Sequence, residues 1–298
     1  VTARVLVGTA GWSYADWKGR VYPDPRPRGF DELRHVAGFL DCLEVNSTFY
    51  RVPTERTVEG WLRRVEALRG FVFTAKIHQS FTHGDEKAAG PAEARAFLAA
   101  LAPLRDAGRL GALLLQFPWS FRDGPEARRR LARLCEWFHG DPVVVEVRHA
   151  SFGTPEAEAF LGALGAGVAD VDMPESPTNL PPRGRTLGPV GYVRLHGRNA
   201  AAWFDPKAGR DRRYDYLYSP AEIDAVAARI RAAAAKVPVL FAITNNHFRG
   251  QGLANSLMLR SRLLGRPVPV PLELLAAYPV LASDAAPAGP GAQGSLFA

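Results

Sequence analysis

Eight short apolar runs, each but one followed by a helix-forming stretch, constrain this chain more than any other feature. The runs are Val5–Thr9, Cys42–Val45, Phe71–Ala75, Ala112–Gln116, Val143–Val147, Gly167–Val171, Val190–Leu195 and Val239–Thr244. Several are almost continuously apolar, as strands are when helices cover them and both faces are buried. Between them lie the amphipathic stretches Asp31–Leu40, Glu55–Leu68, Ala92–Ala107, Glu126–Phe138, Pro155–Leu164, Pro220–Ala235 and Leu253–Leu264. Such alternation predicts a parallel sheet, and eight units in 298 residues predict a closed TIM-type (β/α)8 barrel. An open doubly wound sheet is the alternative, but no glycine-rich dinucleotide loop follows the first run.

Two segments break the pattern. Met173–Gly188 is rich in proline, which argues against a helix, so an irregular sixth unit is expected. A second insertion, Gly197–Tyr218, follows the seventh run. Residues 1–282 are read as the barrel, and residues 283–298, rich in Ala, Pro and Gly, as a flexible C-terminal tail.

In a barrel of this kind the chemistry sits where the strands end. Here those ends are consistently polar: Trp12 beyond the first, Glu44 and Asn46 at the second, Lys76 at the third, and Gln116 at the fourth. Glu146 and Arg148 follow at the fifth, Asp170 and Asp172 at the sixth, Arg194 and His196 at the seventh, and Asn245, Asn246 and His247 at the eighth. Buried charges need partners, so part of this set can be a structural ion-pair network closing the barrel top. Recurrence at strand after strand favours a working pocket. In it Lys76, Arg148 and Arg194 would hold a phosphate or carboxylate. Glu44 and Glu146 would act as acid and base, and His196 would shuttle protons. Trp12, Asn46, Asn245 and Asn246 would orient the ligand. No metal or other cofactor is expected. A divalent metal is poorly supported, because no helical His-Glu-x-x-His pair occurs and lysine and arginine are interleaved with the acids.

The motifs together resemble a known family. They are Thr9-Ala10-Gly11-Trp12-Ser13-Tyr14, Glu44-Val45-Asn46-Ser47-Thr48-Phe49-Tyr50, Phe73-Thr74-Ala75-Lys76, Gln116-Phe117-Pro118 and Glu146-Val147-Arg148-His149. Further along come Arg194-Leu195-His196-Gly197-Arg198, Tyr214-Asp215-Tyr216-Leu217-Tyr218 and Asn245-Asn246-His247. From about residue 4 to about residue 280 the chain is similar to the YecE-like family, domain of unknown function 72. The resemblance implies a TIM-type barrel and no established reaction. By fold analogy alone, it also places the barrel near the xylose-isomerase-like group, which includes metal-dependent endonucleases acting on abasic DNA. The many histidine ligands of such zinc nucleases are missing here.

Three further features bear on partners. The net charge of +7 favours acidic ones. In the second insertion Trp203, Arg212, Arg213 and Tyr214 can stack on bases and neutralise phosphates of single-stranded or damaged DNA, or can form a lid over the pocket. The terminal Gln293, Leu296 and Phe297 resemble a bacterial sliding-clamp-binding peptide. Cys42 and Cys135 read as buried small hydrophobes, no apolar run is long enough to span a membrane, and no secretory signal pattern opens the sequence. These point to a cytoplasmic protein without a membrane partner. Three functions stay open: a nucleic-acid-processing enzyme, plausibly a hydrolase or lyase in DNA repair; an enzyme of a sugar phosphate or carboxylated metabolite; and a clamp-tethered DNA-binding module without catalysis.

Overall fold

The computed structural model describes residues 3–84, 88–182, 184 and 186–287. Eight parallel strands close on themselves in sequence order: β1 Arg4–Ala10, β2 Cys42–Val45, β3 Val72–Lys76, β4 Leu110–Gln116, β5 Val143–Glu146, β6 Gly167–Asp172, β7 Val190–Leu195 and β8 Val239–Thr244. β8 pairs with β1 through Arg4↔Val239 to Thr9↔Thr244, which seals the barrel. This is the expected TIM-type (β/α)8 barrel.

The strand period of two sorts the apolar residues into two cores. Leu6, Ala10, Cys42, Val72, Leu114, Val144, Val171, Tyr192 and Phe241 fill the interior. Their neighbours Val7, Leu43, Phe73, Leu113, Val145, Val193 and Ala242 face outward into the layer beneath the helices. Both cysteines are buried and free.

Helix boundaries follow local chemistry. Four helices, Pro91–Ala100, Pro125–Trp137, Pro155–Ala163 and Pro220–Ala234, open on a proline, whose missing N–H is needed least in the first turn. Asp31, Thr54, Thr154 and Ser219 accept from the backbone N–H three residues on, and Ser219 completes a capping box with Glu222. The stretch Ala92–Ala107, expected as one helix, is two: Pro91–Ala100 and Ala102–Asp106. Pro103 cannot donate to the preceding turn, so the chain breaks at Leu101.

The sixth unit is irregular as expected. Among its described residues no helix lies between Asp172 and Val190. The loop ties back to the exit of β5 instead, with Leu180 N–H donating to Arg148 O at 2.7 Å and Ala150 N–H to Thr178 O at 2.9 Å. At the other end, order continues past Ser283. Asp284 is buried, and Ala285–Pro287 pairs in parallel with Val268–Val270. Residues 284–287, read as part of the tail, thus pack on the barrel. Gln293, Leu296 and Phe297 lie outside the described residues. Among the described residues no helix is long and apolar enough to cross a membrane.

Gly8 shows how tightly β1 and β2 meet. A Cβ there would sit 2.2 Å from the Cys42 carbonyl oxygen and 2.8 Å from its sulfur. Gly8→Ala is expected to destabilise the barrel by about 1–3 kcal/mol through overpacking. Urea unfolding checks it, and an unchanged midpoint would show that β1 shifts freely.

Candidate functional site

The C-terminal ends of the strands surround a cavity of about 640 Å³. Its floor is a buried charge array. Arg194, on β7, reaches across the barrel and donates from Nη2 to Glu44 Oε1 and from Nη1 to Glu146 Oε2, both at 2.6 Å. Arg148, two residues past the end of β5, donates from Nε to Glu146 Oε1 at 2.7 Å, and its Nη2 lies 2.6 Å from the same oxygen. The Tyr192 hydroxyl donates to Glu44 Oε2 at 2.8 Å and meets Thr74 Oγ1 at 2.8 Å. All four carboxylate oxygens are thus occupied. Arg194 Nε, buried, has no hydrogen-bond partner among the described residues.

This geometry decides the protonation states. Burial alone would raise the carboxyl of Glu146, but Arg194 and Arg148 overwhelm it and hold the group well below the usual carboxylate range. Burial, with Arg148 and Arg194 adding to it, drives His196 well below the ordinary histidine range. The ring is neutral. Asn245 Nδ2 donates to its Nδ1 at 2.9 Å, leaving Nε2 protonated toward Glu146 Oε1, 3.8 Å away.

Lys76 differs from the rest. Its Nζ lies 3.7 Å from the centre of the Phe49 ring, and among the described residues no carboxylate pairs with it. Burial, then Arg194 and Arg148, bring it down to about 7 against the opposing pull of Glu146 and Glu44. His83, on the cavity wall, is brought to about 4 by burial and then by Lys76, Arg148 and Arg130. Arg148 and Arg194 already balance Glu44 and Glu146, so Lys76, when protonated, is the surplus cation of this array.

Of the residues expected in the pocket, Trp12, Asn46, Lys76, Arg148, Arg194, Asn245 and Tyr214 line it. Glu44, Glu146 and His196 lie fully buried beneath the floor. The oxygens of Glu44 and Glu146 are engaged by Arg148, Arg194 and Tyr192, so in this arrangement they brace the two arginines. Asn246 is turned away and donates to Tyr216 O at 2.6 Å. Asp170 and Asp172 also point outward, because Ala169 and Val171 occupy the inward positions of β6. Asp172 instead binds Arg198, Arg229 and Tyr218. Trp203 packs edge-on to His196 at 6.0 Å, and neither it, Arg212 nor Arg213 lines the cavity. The insertion therefore contributes a wall through Tyr214 rather than a basic surface over the pocket. Among the described residues no three His, Cys, Asp or Glu side chains group to hold a metal. The two inward carboxylates have their oxygens committed to arginine and tyrosine, so this donor set does not fit a divalent cation.

A family model described as Protein of unknown function DUF72 matches residues 6–274, from within β1 to beyond β8. The chain is a member of the DUF72 family. It is 27% identical over 179 residues to the UPF0759 protein YecE of Escherichia coli O157:H7, a match spanning 59% of this chain and 61% of that protein. The chain thus matches about three fifths of the length of its curated relatives. A DUF72 family crystal structure from Thermotoga maritima superposes with a TM-score of 0.77 at 32% identity, covering 88% of this chain and 99% of the other. One from Enterococcus faecalis gives 0.77 at 26% identity, covering 87% and 95%. Both agree with the barrel described above.

The DUF72 pocket in this chain has walls that strand-end reasoning missed. Tyr14, Phe49, Tyr50, His83 and Trp119 all line it. His247, at the eighth strand end, lines it too and stacks on Tyr14 at 4.5 Å, at an angle of 6°. His83 lies in a turn with no periodic signal.

Proposed function

We propose that the strand-end cavity binds one phosphate-bearing or carboxylate-bearing unit of sugar-phosphate or nucleotide size, as the substrate of an enzyme. The surplus positive charge at the floor carries this reading. Arg148, Arg194 and Lys76 all line the cavity. A cavity of about 640 Å³ suits a small ligand, and the aromatic walls suit its ring or apolar face. The buried carboxylates keep the arginines fixed, so the anion meets donors that need little reorganisation.

A second reading takes the same unit from a nucleic acid strand, and one observation favours it. Tyr50 and Trp119 line the cavity yet are 65% and 41% exposed, with Arg122 5.7 Å from the Trp119 ring centre. Exposed aromatics beside arginine are what neighbouring bases stack on.

Calorimetry with inorganic phosphate, a pentose phosphate, a nucleoside monophosphate and a single-stranded oligonucleotide tests both. Arg148→Met is expected to weaken every anion by about 10–100-fold, the loss of charge-assisted bonds. A steep salt dependence confined to the oligonucleotide selects the strand. Equal affinity in wild type and Arg148→Met would overturn the site.

The pH dependence has a fixed sign. Lys76 sits near 7 when the cavity is empty of anions, and a bound anion favours its charged form. Binding above about pH 7 should take up protons and tighten as pH falls toward 7. Titrations in buffers of different ionisation heat measure the uptake, and release of protons would contradict it.

A further inference from the structure

The cavity holds one amine with an unusual setting. Lys76 is the last residue of β3, which fixes its backbone in the barrel wall while its side chain lines the cavity. Among the described residues its Nζ pairs with no carboxylate and lies only over the face of Phe49. Around it stand Arg194, Arg148 and His83, with Glu146 and Glu44 behind the arginines. An ammonium that is partly desolvated beside two guanidinium groups readily gives up its proton, and a free amine next to a fixed anion site is placed to attack a carbonyl carbon.

Resting on the anion-site reading above, we propose that Lys76 is a covalent nucleophile whose amine condenses with the aldehyde or ketone carbon of a phosphorylated ligand anchored on Arg148. The Nζ lone pair forms the new N–C bond as the carbonyl π pair moves to oxygen. That oxygen then departs as water, carrying the two amine protons, and an imine remains. At pH 7 an ordinary lysine is almost wholly charged, whereas Lys76, near 7 without a ligand, is about half free amine. The anchored phosphate favours the ammonium, so the adduct should form faster as pH rises above 7. The substrate class is thus a phosphorylated aldehyde or ketone, either a free sugar phosphate or the ring-opened abasic sugar of a DNA strand.

Trapping tests the step. The full chain is incubated at pH 7 with glyceraldehyde 3-phosphate, with glyceraldehyde, or with a single-stranded oligonucleotide carrying one abasic site. Borohydride then reduces any imine to a stable secondary amine, and peptide mapping locates it. A single adduct on Lys76 is expected, formed on the order of 100-fold faster than on Lys18, Lys87, Lys207 or Lys236, and suppressed by inorganic phosphate. Glyceraldehyde should react more slowly, and the preferred phosphorylated arm names the source. Adducts spread evenly over the lysines, or an unchanged yield in Lys76→Met, would overturn the proposal. The wild-type map is decisive even if that variant folds poorly. Phosphate binding dependent on Arg148 without any Lys76 adduct would sink the covalent step and leave the anion site standing. Loss of both would sink the two together.

Discussion

Arg194→Met is expected to destabilise the protein by about 3–5 kcal/mol at pH 7, because it strands a buried carboxylate without its cation. Glu146 keeps Arg148, but Glu44 is left with only the Tyr192 hydroxyl. The loss should shrink as pH falls. In the wild type, Glu146 is held below its unfolded value of about 4.3, so its contribution is complete above that pH and is lost as pH drops through the folded value. In the variant part of that contribution is already gone, so less is left to lose in acid. Urea titrations at pH 7 and pH 3 read both effects. A variant as stable as the wild type, or one whose deficit grows toward pH 3, would mean that the network does not brace the floor.

Lys76→Met should behave in the opposite way. It removes a cation whose burial is unfavourable and which no carboxylate pairs, and it keeps the apolar stem beside Phe49. Stability is expected to hold or rise, by up to about 1–2 kcal/mol, while phosphate affinity falls by about tenfold or more. The sign is consistent with titration. A lysine lowered in the folded state destabilises the fold fully below its folded value near 7, and the cost is lost as pH rises from there to the unfolded value near 10.4. Wild-type stability should therefore rise with pH across that window, and the Lys76→Met increment should fade. A side chain whose removal stabilises the fold but empties the pocket is held there for its chemistry.

The barrel was legible because parallel strands covered by helices leave continuous apolar runs, which set the strand count and, through the period of two, the inward parity of Glu44, Lys76, Glu146, Arg148 and Arg194. The same parity misplaced nothing on those strands. It was β6 that resisted. Asp170 and Asp172 look like strand-end acids, and only the small inward residues Ala169 and Val171 show that they face the helix layer. The pairing of Glu44 and Glu146 was not readable either, since a carboxylate held by guanidinium groups has the same letter as an unpaired one. Loops carry no period at all. His83, Tyr50 and Trp119 reach the cavity through turns, whereas Arg212 and Arg213, conspicuous among aromatics, do not.

The lysine side chains of the chain are few enough to resolve by carbon-detected NMR of Cε, and their titration with and without inorganic phosphate interrogates the cavity directly. One resonance, lost in Lys76→Met, should titrate near pH 7 and move upward when phosphate is added. If every lysine instead titrates near the ordinary value of about 10.4, indifferent to phosphate, the barrel mouth holds no anion site.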